Sequence, residues 1–148
     1  MQLVAFWEEK TLAEMDDEEW ELLCDGCARC CMIKLENEDD GSVHYTSLVC
    51  NLLDTDHCRC TRYPERHKLV KDCIELAPDV VGSLRWLPAS CAYRRIEEGK
   101  PLLPWHPLIS GSSQSVHEAG ISVKGQVIPV RLVDEDEHQE HIVDWIET

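Results

Sequence analysis

The sequence predicts a small single α+β domain, with short helices and β-hairpins organised around a cysteine-rich centre. Three observations lead there. Four cysteines fall within eight residues, two stretches of β-branched residues flank turn-forming clusters, and several short segments begin on helix caps. A length of 148 residues suits one domain, residues 1–148. Its cysteine-rich part, 24–91, is expected to carry a cysteine-free part, 92–148, packed on it.

Each element has a local reason. Asp16-Asp-Glu-Glu19 is a capping box ahead of Trp20, Leu22 and Leu23, which predicts a short acidic helix delivering the chain to Cys24. Met32–Leu35 and Val43–Thr46, separated by Glu38-Asp-Asp-Gly41, read as a hairpin. Pro64 suits the first position of a helix running to Leu69 or Val70. Ser90–Glu98 reads as a helix with a serine cap before it and Gly99 after it. Three prolines frame Trp105-His106, and the serine-rich stretch 110–115 reads as a loop. Ile121–Val133 predicts a second hairpin about Lys124-Gly125, with Pro129 at an edge or bulge. Gln139–Glu147 is expected to close the chain as a helix.

Composition narrows the function. The formal net charge of −15 argues against a general affinity for nucleic acid and for anionic membranes, and leaves a protein partner open. No apolar run approaches the ~20 residues that span a bilayer. Met1–Trp7 lacks the basic start of a signal peptide, so a cytoplasmic protein is expected. Leu, Ile, Val and Phe make up a quarter of the chain, enough for a folded core but a lean one.

The nine cysteines are Cys24, Cys27, Cys30, Cys31, Cys50, Cys58, Cys60, Cys73 and Cys91. Nine cannot all pair, and a cytoplasmic chain keeps its thiols reduced. Clustered reduced thiols are metal ligands. In Cys24-Asp-Gly-Cys27-Ala-Arg-Cys30-Cys31, each C-x2-C step lets two sulfurs face one ion, and Gly26 gives the turn its freedom. A third cysteine at the same interval gives the grip of iron–sulfur loops, completed by distant cysteines. Cys30 and Cys31 are adjacent, so their side chains diverge: they serve two centres, or one binds and the other packs. Cys58 and Cys60 share a face if the chain is extended there. Eight thiolates would fill two four-sulfur sites, and one four-sulfur site would leave five cysteines for other roles. All-sulfur ligation admits zinc and an iron–sulfur centre alike.

The basic stretch Arg59–Lys71 between Cys58 and Cys73 offers charge compensation for thiolates, or a solvated face. His57 beside Cys58, Trp105-His106, and Glu137 with His138 and His141 are weaker candidates for chemistry. No catalytic residue is assigned. The leading expectation is a metal-binding protein holding zinc or iron; the alternative is a metal-dependent or redox enzyme acting on a protein or RNA.

The cysteine string, together with Phe6-Trp7, Glu19-Trp20-Glu21, Leu23-Cys-Asp-Gly-Cys27, Cys58-x-Cys60-x-x-Tyr63-x-x-Arg66, Trp86-Leu-Pro88, Cys91-Ala-Tyr-Arg94 and Trp105-His-Pro-Leu108, resembles the bacterial CxxCxxCC cysteine-cluster family, in particular its YcgN-like branch. The resemblance runs almost end to end. It implies zinc or iron chelation by the cysteines and assigns no physiological role.

Overall fold

Asp16 accepts a hydrogen bond from the Glu19 backbone N–H (2.8 Å), and the Glu19 carboxylate accepts one from the Asp16 N–H (3.0 Å). That reciprocal box starts α2 (Asp17–Leu22), after a first turn of helix α1 (Phe6–Glu9). Lys10 also bonds Glu19 at 2.8 Å, tying α1's end to α2's start. Asp16→Ala should cost about 1 kcal/mol, read as a lower urea midpoint with unchanged slope.

These observations come from a computed structural model that describes residues 5–70 and 76–148. The predicted hairpin forms: β1 (Met32–Glu36) runs antiparallel to β2 (Val43–Val49), with a register shift between Met32 and Lys34. Two short strands, β3 (Leu53–Asp54) and β4 (Arg59–Cys60), make a second antiparallel pair. Pro64 opens a 3-10 turn, Tyr63–Glu65, that continues into α3 (Arg66–Leu69), as its position predicts. Then come α4 (Pro78–Val81), α5 (Ala92–Glu97), α6 (Pro107–Ser110) and α7 (Ser115–Glu118).

Three expectations need correction. Ile121–Val133 is not a hairpin: only Ile128–Pro129 is extended, as β5, parallel to β2 at the edge of the three-stranded sheet β1-β2-β5. Val123 is instead fully buried and bonds the Cys27 carbonyl (3.0 Å), which draws this segment inward. Pro129, lacking an N–H, does sit on an edge strand. Gln139–Glu147 is not a helix either. A 3-10 segment, Glu135–His141, ends there, and the chain continues extended, with Thr46 paired to Ile142 and the Val143 N–H on the Tyr45 carbonyl (2.9 Å). This places Val143, Trp145 and Ile146 against the core. Ser90 does not cap α5. Cys91 is its N-cap residue, and the Ser90 hydroxyl turns to Arg29.

The core has two parts. One joins Leu12, Leu23, Val81, Leu87, Ala92, Tyr93 and Leu102 beneath the helices. The other joins Met32, Tyr45, Val49, Leu53, Cys58 and Val123 beneath the hairpin. Trp86 packs against both, and the cysteine string runs between them. Among the described residues no helix is long and apolar enough to cross a membrane.

Candidate metal centre

Gly26 adopts φ +80° and Ala28 φ +62°, two left-handed residues that fold the string back on itself. Gly26 takes this conformation without strain and Ala28 takes it at a cost, so the surrounding contacts must hold it. Asp25, buried, accepts from the Cys27 N–H (3.0 Å), and the Arg29 N–H points at the Cys27 sulfur (3.5 Å). Backbone N–H groups aimed at sulfur favour the thiolate form.

The end of α2 and the start of α5 are fixed against each other. The Tyr93 hydroxyl donates to the Trp20 carbonyl (2.6 Å), and the two rings lie 4.6 Å apart. His106, 2% exposed, accepts from the Leu108 N–H at Nδ1, so Nε2 carries the proton and donates to the Leu23 carbonyl (2.6 Å). These contacts bring Cys91 beside the string although it lies far away in sequence.

The thiols feel one another accordingly. Cys24 is raised by desolvation first, then by Cys30 and Asp25, with Cys91 adding to it. Cys27 is raised by desolvation, Asp25, Cys30 and Cys24. Cys91 is pushed up to about 11 by burial, with Cys30 adding to it, while the Arg94 and Tyr93 N–H groups pull it down. Cys24 and Cys30 are exposed, and Cys91 is partly exposed. Cys24, Cys27, Cys30 and Cys91 thus form one neighbourhood.

Cys31 belongs to another. Its thiol donates to the Cys30 sulfur, which draws Cys30 below and drives Cys31 above the usual thiol range. Its further neighbours are Cys50 and Cys60. The backbone explains this grouping: the Cys50 N–H donates to the Cys31 carbonyl (3.0 Å), the Leu53 N–H to the Cys50 carbonyl (3.0 Å), and Leu53 pairs with Cys60. The two adjacent sulfurs therefore meet, and Cys31 links the first group to Cys50 and Cys60.

Cys58 stands apart. It takes φ +57° rather than an extended conformation, so Cys58 and Cys60 do not share a face. It is buried in the hairpin core and bonds Ser122. Cys73 lies outside the described residues, as does Lys71. His57 pairs with Asp54 (2.8 Å) in solvent rather than with a thiol. In the basic stretch, Arg62 pairs with Glu65, and Arg66 lies over the Tyr63 ring (3.8 Å).

Sequence reasoning missed Lys34. Its ammonium sits 4.7 Å from the Trp86 ring and 5.1 Å from the Tyr45 ring, and donates to the Cys30 and Met32 carbonyls at 2.9 and 2.8 Å. Desolvation lowers its pKa, while Cys30 and Cys31 raise it. A cation at this position offsets thiolate charge. The signal for it is in β1, where Lys34 shares a face with the buried Met32.

Among the described residues, no group of three or more Cys, His, Asp or Glu side chains is already arranged to hold a metal ion. The donor set nevertheless suits one: the eight described cysteines are all free thiols, and all but Cys58 gather with N–H donors and a lysine beside them. Such a fold and such a donor set define a small α+β protein of the clustered-thiolate class.

The chain belongs to the CxxCxxCC family, whose model, described as "Putative zinc- or iron-chelating domain", matches residues 23–92. A UPF0260 protein of Cellvibrio japonicus is 52% identical over 141 residues, covering 95% of this chain and 96% of its own. Another from Marinobacter nauticus is 50% identical over 143 residues, 97% of each chain. A third, from Azotobacter vinelandii, is 50% identical over 138 residues, 93% of each. No solved structure matches the chain.

Proposed function

We propose that this chain is a cytoplasmic metalloprotein whose Cys24, Cys27, Cys30 and Cys91 together hold an iron–sulfur centre. The observation that supports it most is the return of Cys91 to the string: its thiol lies within electrostatic reach of Cys24 and Cys30. Three cysteines at two-residue intervals plus one distant ligand is the arrangement of iron–sulfur loops. When bound, such a centre would supply one-electron chemistry.

The residues around it have separable tasks. The Gly26, Arg29, Tyr93 and Arg94 N–H groups stabilise charge on sulfur. Lys34 contributes a positive charge on the side of Cys30 and Cys31. Cys31, Cys50 and Cys60 are the candidates for a second ion, and Cys58 is a packing residue.

Protein purified without air should be brown and carry iron with acid-labile sulfide. A colourless protein with stoichiometric zinc would overturn the iron–sulfur reading while keeping the thiolate site. Folded protein with neither metal would overturn both.

A further inference from the structure

Arg29 is 7% exposed, so its guanidinium is nearly removed from water. Its Nε donates to the Ile121 carbonyl (2.8 Å), its Nη1 to the Ser90 hydroxyl (3.3 Å), and the Trp145 ring lies 5.6 Å from Cζ. Every one of these partners is neutral, and among the described residues no carboxylate lies within ion-pair distance of it. A buried cation is costly unless an anion answers it.

Arg29 lines a cavity of about 340 Å³, and Arg95 and Ser90 line it too. Trp105 forms another part of the wall, and its indole N–H is buried with no hydrogen-bond partner. Arg95 spends Nε on the Pro101 carbonyl (2.7 Å) and is in no ion pair among the described residues. The lining thus brings together two arginines, a serine, and two tryptophans, one of which, Trp105, has a buried indole N–H with no partner. Glu147 contributes the one carboxylate in the lining. A larger concavity, about 610 Å³, runs along Val43–Tyr45 and the C-terminal segment, but no arginine and no unpartnered donor lines it.

We propose that the smaller cavity is a binding site for a small organic anion, with a carboxylate or phosphate head and a flat apolar body. The head would take the two arginines and the Trp105 N–H, since guanidinium groups bind both oxyanions in paired hydrogen bonds. The body would lie against the two indoles. The site is separate from the thiol groups, no cysteine among the described residues lines it, and it stands or falls independently of the metal reading. Arg29 lies between Cys27 and Cys30 in the string, and Arg95 is one helical turn beyond Cys91.

Calorimetric titration of the full chain, in its purified metal state, tests this with benzoate, phenyl phosphate and the neutral analogue benzyl alcohol. The expected result is saturable binding of at least one of the two anions and none of the alcohol. Arg95→Gln should weaken the bound anion about tenfold, and Trp105→Phe, which removes the N–H and shortens the aromatic face, should weaken it severalfold. Glu147→Gln should tighten it, by removing the competing carboxylate. These three variants spare the buried Arg29, so folding is not at risk. Absence of saturable binding by both anions would overturn the proposal. So would binding of benzyl alcohol as tight as benzoate, or anion binding indifferent to both Arg95→Gln and Trp105→Phe.

Discussion

Replacing Cys24 and Cys27 together by serine should abolish metal retention and unfold the cysteine-rich half. Thiolate-held structural ions contribute roughly 10–16 kcal/mol of apparent binding energy, and that energy is also folding energy. A domain of this size is stable by only about 5–15 kcal/mol in total. The segment it must hold is costly in itself, since Ala28 sits in the left-handed region and Asp25 is buried beside the sulfurs. Metal content and far-ultraviolet circular dichroism should therefore fall together. Two single variants sharpen the test. Cys91→Ser should lose the metal of the first centre, because Cys91 would be its fourth sulfur. Cys58→Ser should keep all metal and cost about 1 kcal/mol, because Ser122 already offers a hydroxyl partner there. Full metal retention in Cys91→Ser would remove Cys91 from the ligand set, and metal loss in Cys58→Ser would put Cys58 into it.

What could be read from the sequence was what neighbouring residues decide among themselves. The Asp16–Glu19 box, the hairpin about Gly41 and the helix behind Pro64 all form where their local signals stand. Adjacency suggests that Cys30 and Cys31 diverge, yet their sulfurs meet. Their partners could not be read, because these are set by long-range contacts: Tyr93 on Trp20 carries Cys91 to the string, and the pairing of Leu53 with Cys60 gathers the other group. The misread segments failed for the same reason. The β-branched run at Ile121–Val133 has strand propensity, yet a single buried contact, Val123 on Cys27, overrides it. Gln139–Glu147 has a helical arrangement of apolar residues, but the free edge of β2 at Tyr45 and Thr46 captures it as extended chain. Arg29 and Lys34 were passed over because a cationic side chain in sequence looks like surface, and only packing shows Arg29 buried and Lys34 half-buried.

His106→Ala should destabilise the protein by about 3 kcal/mol and loosen the metal at the same time. The imidazole is almost wholly buried, and both its nitrogens are committed, one to the Leu108 N–H and one to the Leu23 carbonyl. Alanine leaves that carbonyl without its donor, at a cost of about 1–3 kcal/mol, and opens a void that adds to it. Leu23 is the residue before Cys24 and is itself fully buried, so the strain is delivered to Cys24 rather than dispersed. His106→Gln, which can still present an N–H, should recover part of the loss in both readouts. His57→Ala is the contrasting variant: its pair with Asp54 lies in solvent, where such contacts contribute about 0–1 kcal/mol. Urea unfolding of the three variants, with metal content measured at each midpoint, separates the roles. An unchanged midpoint for His106→Ala would mean that the Leu23 carbonyl finds another donor, and that the metal alone fixes where the string begins.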